Sequence, residues 1–201
     1  MIAPPERSPE RDAALAAFLP HVAMTGWTVP ALMQAAGPNA DLLFPGGAPD
    51  MIEAYCDLAD RWMADGADEE LKALRLPARV RALIAHRLAQ NRPYKDAVRR
   101  ALAILALPGH ARLAARCTGR TVDAIWHEAG DTAADFSWYT KRAILTAVYG
   151  TTLLYWLRDD SEADEATLAF LDRRLAGVGR IGRMRGRADA LLNRLRPARA
   201  A

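Results

Sequence analysis

Apolar residues return at three- and four-residue intervals along most of the chain, and no clear β-branched alternation interrupts them. Ala, Leu and Arg, all strong helix formers, dominate the sequence. The pattern predicts helices near residues 10–21, 28–36, 49–64, 78–90, 94–106, 110–129, 135–158, 162–177 and 182–196. Most joins carry residues that stop or open a helix: Pro45-Gly46-Gly47, Pro77, Pro93, Pro108-Gly109 and Gly130-Asp131. The expected fold class is all-α: a small helical unit at 10–47, a helical bundle at 48–178 and an amphipathic helix at 179–198.

Two segments carry more than a fold. The run from Ala143 to Leu157 holds Ile144, Leu145, Val148, Leu153, Leu154 and Trp156, more apolar faces than a surface helix needs, so it should be central. Together with Ile84, Leu88, Leu102 and Leu105 it offers a cavity wall, and Ile84, Leu88, Leu102, Leu105, Ile144, Leu145, Val148 and Leu153 are the candidate lining. A fully packed core has the same periodicity. Just upstream, Trp138 and Tyr139 are neighbours on a helix, so their side chains lie roughly 100° apart and cannot both enter one core stripe. At least one of them belongs near the surface.

The last predicted helix places Ile181, Met184, Leu191, Leu192 and Leu195 at helical spacing, with Arg187 and further arginines on the other faces. Such a helix suits an anionic membrane surface, and the alternative is that it folds back on the bundle. Charge supports the first reading. The formal net charge of +3 hides a balance of −9 in residues 1–70, +9 in 71–130 and +6 in 180–201. Any anionic partner should meet the middle or the tail. No stretch approaches the roughly 18 uninterrupted apolar residues of a membrane span, and nothing at the N-terminus reads as a signal peptide.

Catalytic and metal signatures are missing. His21, His86, His110 and His127 have no Glu-x-x-His, His-x-x-x-His or His-Glu-x-x-His spacing, so neither a helical di-iron nor a zinc site is expected. Cys56 and Cys117 are far apart in sequence, outside any paired redox or metal spacing, and a reducing compartment fits them. Gly177-Val178-Gly179-Arg180-Ile181-Gly182 matches a dinucleotide loop in letters, but a helix precedes it where a strand is required. We expect no cofactor, no metal and no enzymatic activity.

Residues Gly26 to Gly37 resemble the first half of a TetR-type helix-turn-helix, with Thr28 as cap and Leu32, Ala35 and Ala36 facing inward. The DNA-reading half would be Pro38 to Pro45, which is short, lacks Lys and Arg, and carries Asp41. The element is therefore expected to be vestigial, with no nucleic acid as partner. A TetR-type regulator with a lipophilic ligand is the alternative.

From Thr121 onward, Thr-Val-Asp-Ala-Ile-Trp-His-Glu-Ala-Gly-Asp and then Asp135-Phe136-Ser137-Trp138-Tyr139-Thr140-Lys141-Arg142 resemble the ubiquinone-biosynthesis accessory family COQ9, whose fold is TetR-like. Trp126, Asp131, Asp135, Trp138, Tyr139, Thr140 and Arg142 match that family's pattern position by position. The resemblance implies a protein that binds isoprenoid lipids or quinone intermediates and hands demethoxyubiquinone to its hydroxylase. Trp126, Asp131, Asp135, Trp138, Tyr139, Lys141 and Arg142 would form the partner-binding patch, and Ile181, Met184, Arg187, Leu191, Leu192 and Leu195 would meet the membrane. Relative to mitochondrial members the chain has no targeting extension, which suggests a bacterial cytoplasmic protein peripheral on the inner membrane. Formation of a homodimer is left open.

Overall fold

The computed structural model describes residues 2–131 and 137–177, and among these residues every regular element is helical. Helix α1 runs Pro9–Thr25, α2 Val29–Ala36, α3 Ala48–Asp65, α4 Glu69–Ala73 and α5 Leu76–Gln90. Helix α6 spans Lys95–Leu105, α7 Ala111–Glu128 and α8 Ser137–Trp156, and α9 is helical over 165–177.

Local chemistry explains the boundaries. Ser8 caps α1, its Oγ accepting the Arg11 N–H at 3.2 Å, and Pro9 at the first position lacks an N–H that would need a partner. The helix carries Pro20 inside it and continues four residues past the expected end, because Phe18, Leu19 and Val22 are all buried on one side. It stops at Gly26, whose φ of 72° a side chain would disfavour. Thr28 stands at the N-cap of α2 in extended conformation, yet its hydroxyl makes no capping bond. Helix α4 was not expected: five residues are too few to show a period, and its signal is the cap, Asp68 Oδ1 accepting the Leu71 N–H at 2.8 Å.

Where a helix-turn-helix would place its reading helix, the chain forms a four-residue 3-10 turn, Ala40–Leu43, with Leu42 exposed and Phe44 buried behind it. Two buried clusters make the core. The first joins Leu15, Phe18 and Leu19 of α1 and Leu32 of α2 to Met51, Ile52 and Leu58 of α3, Ala97 and Leu105 of α6 and Leu113 of α7. Residues 10–47 thus share their core with the bundle. Trp27 ties it together, donating its indole N–H to the Ala97 carbonyl at 3.0 Å and meeting Phe18 edge-on. The second cluster joins Leu83, Ile84 and Leu88 of α5 to Ile125 of α7, Leu145, Val148 and Trp156 of α8, and Leu171 of α9. Val98 and Leu102 pack against both.

The charge segregation seen along the chain resolves into pairing within the fold. Acids of α3 meet bases from α5 and α7: Asp60 with Arg87 at 2.8 Å, and Glu53 with Arg116 at 3.0 Å and Arg120 at 2.8 Å. Arg81 and Arg92 pair with Asp172 and Asp164. Much of the positive charge of residues 71–130 is therefore engaged internally, and the expectation that this stretch would meet an anionic partner loses that support.

Candidate functional site

The strongest candidate surface is built where α7 ends and α8 begins. After Glu128 the chain turns through Gly130, whose φ of 75° favours glycine, and the Asp131 N–H donates to the Trp126 carbonyl at 3.0 Å. That turn brings Asp131 to α8, where Lys141 Nζ reaches Asp131 Oδ1 at 2.8 Å and lies 5.9 Å from the centre of the Trp126 ring. One residue further, Arg142 donates from Nε to Asp123 Oδ1 at 2.5 Å, and its guanidinium covers the Trp138 ring at 3.7 Å. Trp138 in turn meets Tyr139 edge-on, with ring centres 4.8 Å apart.

Six of the seven residues expected to bind a partner thus converge: Trp126, Asp131, Trp138, Tyr139, Lys141 and Arg142. The seventh, Asp135, lies outside the described residues. The expectation for the adjacent aromatics is met, with Trp138 half-buried under the guanidinium and Tyr139 69% exposed. Two ion pairs and two cation-π contacts hold this arrangement, with the Tyr139 ring projecting beside charge. Asp123 was missed by sequence reasoning; its signal was its place three residues before Trp126, on the same face of α7.

Inside the bundle, a chamber of about 60 Å³ lies at the seam of the two core clusters. Of the eight expected lining residues, Leu88, Leu102, Leu105 and Leu153 do line it. Ile84, Leu145 and Val148 are buried but pack elsewhere in the second cluster, and Ile144, 37% exposed, faces outward. Leu154 and Tyr155 are exposed as well, so α8 is half central and half surface. Periodicity overstated its burial because apolar residues lie on both of its faces.

The chamber has a polar arc that sequence reasoning did not find. Arg87 donates from Nε to Asp60 at 2.8 Å and from Nη1 to the Tyr149 hydroxyl at 2.7 Å, while the Thr121 hydroxyl donates to Asp60 at 2.9 Å. Burial holds the Asp60 carboxyl above its ordinary range, with Arg87 and Thr121 pulling the other way, and it pushes the Tyr149 phenol up to about 12. The Tyr55 hydroxyl donates to Asn91. Cys56 and Cys117, distant in sequence, both line the chamber as free thiols. The neighbouring Cys117, together with burial, raises Cys56, while Cys56 lowers Cys117 with help from Arg120. Ligand pockets usually run to about 300–1,000 Å³, so this chamber accepts a drug-sized molecule only after its walls move.

A larger open groove, about 580 Å³, separates α5 from α9 and includes Leu71, Arg81, His86, Asp164 and Leu168. Among the described residues no group of three or more His, Cys, Asp or Glu side chains gathers as a metal site, and no helix is long and apolar enough to cross a membrane. The segment before Gly177 is helical, so the strand a dinucleotide loop needs is absent there. The expected membrane-binding residues Ile181, Met184, Arg187, Leu191, Leu192 and Leu195 lie outside the described residues.

Comparison with known proteins bears on the same region. The COQ9 family model matches residues 111–182, which include α7, the patch and α8. The chain is 31% identical over 181 residues to the mitochondrial ubiquinone biosynthesis protein COQ9 of Homo sapiens and 30% identical over 181 residues to that of Xenopus tropicalis. It is 34% identical over 163 residues to the coq9 protein of Schizosaccharomyces pombe. These matches cover 84%, 84% and 78% of this chain, and 57%, 57% and 65% of the relatives, so the chain spans less than two thirds of their length. Among solved structures, a TetR transcriptional regulator from Nitrosomonas europaea superposes with a TM-score of 0.69 at 24% identity, covering 84% of this chain and 97% of that one. This likeness makes the fold TetR-like.

Proposed function

The chain belongs to the COQ9 family, and from that membership we propose that it serves ubiquinone biosynthesis as a non-catalytic, lipid-binding accessory protein. It binds an isoprenoid quinone intermediate and presents demethoxyubiquinone to its hydroxylase at a membrane surface. The observation that carries this reading is the α7–α8 patch within the segment matched by the family model. A tyrosine 69% exposed beside a guanidinium-covered tryptophan is the kind of aromatic anchor that dominates protein interfaces.

The lipid half of the reading rests on Leu88, Leu102, Leu105 and Leu153, which share one chamber with a polar arc. Entry of an isoprenoid requires that chamber to widen, and α8, with its outer face already exposed, is the wall we expect to move. The arginine-rich segment 179–198 provides the membrane contact, peripheral on a bacterial inner membrane. A regulator reading is disfavoured because a 3-10 turn bearing Asp41 stands where phosphate and base contacts would be made.

The test is a binding titration of the purified full chain against the demethoxyubiquinone hydroxylase, with Tyr139→Ala and Trp138→Ala alongside. Saturable binding that both substitutions weaken at least tenfold supports the reading. Binding untouched by either substitution removes the patch from it.

A further inference from the structure

Residues 2–7, ahead of α1, have no regular structure and lie across α3 and α7. Three contacts tie them to α3 and α7. Arg7 makes a bidentate pair with Asp57 at 2.7 and 2.8 Å, and Arg120 donates to the Ala3 carbonyl at 3.2 Å while anchored to Glu53. The third contact is the side chain of Ile2. It lies against Gly119 in the middle of α7, where a Cβ would fall 2.5 Å from Ile2 Cδ1. After proline, glycine is the residue a helix interior tolerates least, so a glycine there needs a reason, and the seated isoleucine is one.

The seat is continuous with the patch. Ile2 borders a pocket of about 140 Å³ whose other walls are Gly119, Val122 and Asp123 of α7 and Trp138, Arg142 and Thr146 of α8. Two of these residues, Trp138 and Arg142, belong to the cation-π contact that sets the patch. An apolar side chain from the chain's own N-terminal segment therefore occupies the edge of the proposed docking surface. Release does not strand a buried charge: Arg7 is half-exposed, and the buried Asp57 keeps a second cation, Arg61, when Arg7 leaves.

Resting on the reading that the patch binds a protein partner, we propose that residues 2–7 are a displaceable strap. The docking surface extends from Tyr139 across Trp138 into the socket beside Gly119, and the partner takes that socket by seating an aliphatic side chain in place of Ile2. The strap competes with the partner and sets how readily the patch is engaged.

Two variants of the full chain test this, Ile2→Ser and Gly119→Ala. Each is read by trypsin cleavage after Arg7, followed by mass spectrometry, and by titration with the hydroxylase. Ile2→Ser should speed the cleavage and tighten hydroxylase binding, each roughly fivefold, the factor that half-burial of one isoleucine sustains. Gly119→Ala narrows the seat for strap and partner alike, so it should speed the cleavage without tightening the binding. Unchanged cleavage in Gly119→Ala overturns the seat. Faster cleavage in Ile2→Ser with binding unchanged or weakened overturns the competition while leaving the partner patch intact. Absence of hydroxylase binding in the wild type and in both variants overturns this proposal and the partner reading together.

Discussion

Replacing Arg87 by leucine should be among the most damaging single changes in this fold. The Arg87 and Asp60 side chains are 8% and 9% exposed, and the guanidinium supplies both the 2.8 Å bond to Asp60 and the 2.7 Å bond to the Tyr149 hydroxyl. Arg87→Leu leaves the Asp60 carboxylate with the Thr121 hydroxyl as its remaining partner among the described residues. Stranding one member of a buried pair costs about 3–5 kcal/mol, a large share of the roughly 5–15 kcal/mol that holds a domain together. With a urea slope of about 2 kcal/mol per molar, the unfolding midpoint should fall by about 2 M. Arg87→Leu with Asp60→Leu should recover much of that loss, because no buried charge is then left alone. The effect also has a pH signature. Asp60 already titrates above its ordinary value, and loss of Arg87 moves its folded-state value higher still. A raised carboxyl contributes stability that is present below the unfolded value, near 3.9, and is lost as pH rises through the folded value. The deficit of Arg87→Leu should therefore shrink between pH 7 and pH 5. Urea titrations followed by tryptophan fluorescence at the two pH values read both effects. A loss under about 1 kcal/mol, a double variant worse than either single one, or a deficit that grows on acidification would show that the Arg87–Asp60 pair does not carry this stability.

Tyr139→Ala, at an exposed position, should change stability by no more than about 0.5 kcal/mol, as thermal melts would show, while still weakening hydroxylase binding at least tenfold. Asp159 is pushed up by burial but held well below the usual carboxylate range by hydrogen bonds from Ser161 and Thr167. Its contribution is present above the unfolded value and lost as pH falls through the folded one, so amide exchange at Thr167, corrected for intrinsic rates, should accelerate at pH 2 but not at pH 5. Thr167→Val, which deletes one donor to Asp159, should move that onset to higher pH. The full chain should bind anionic vesicles in a salt-sensitive manner, and replacing Arg187 and Arg194 by glutamine should weaken this in a cosedimentation assay.

The legibility of this molecule in its sequence follows the range of the forces involved. Helices of eight residues or more, and the turn at Gly130, are written in local periodicity and backbone freedom, and they were readable. The five-residue α4 fell below one useful period. The missing reading helix was visible as a stretch without Lys or Arg, since a DNA contact needs particular donors. Long-range pairing left no such trace: the charge blocks were plain, but their meaning depends on α3 lying between α5 and α7, which unites Asp60 with Arg87 and Glu53 with Arg120. Cys56 and Cys117 meet for the same reason. The patch was found through a family pattern and the chamber only in part, because spacing identifies apolar faces but not voids. Ile144 illustrates the difference, an apolar residue at helical spacing that faces outward.

Lipid binding is tested most simply by organic extraction of the purified full chain followed by mass spectrometry of what it carries. An isoprenoid quinone or quinone precursor should be present near one molecule per chain, and be lost when Leu102→Trp and Leu153→Trp fill the chamber. A protein that purifies empty, and takes up no quinone when incubated with quinone-loaded vesicles, would contradict lipid binding.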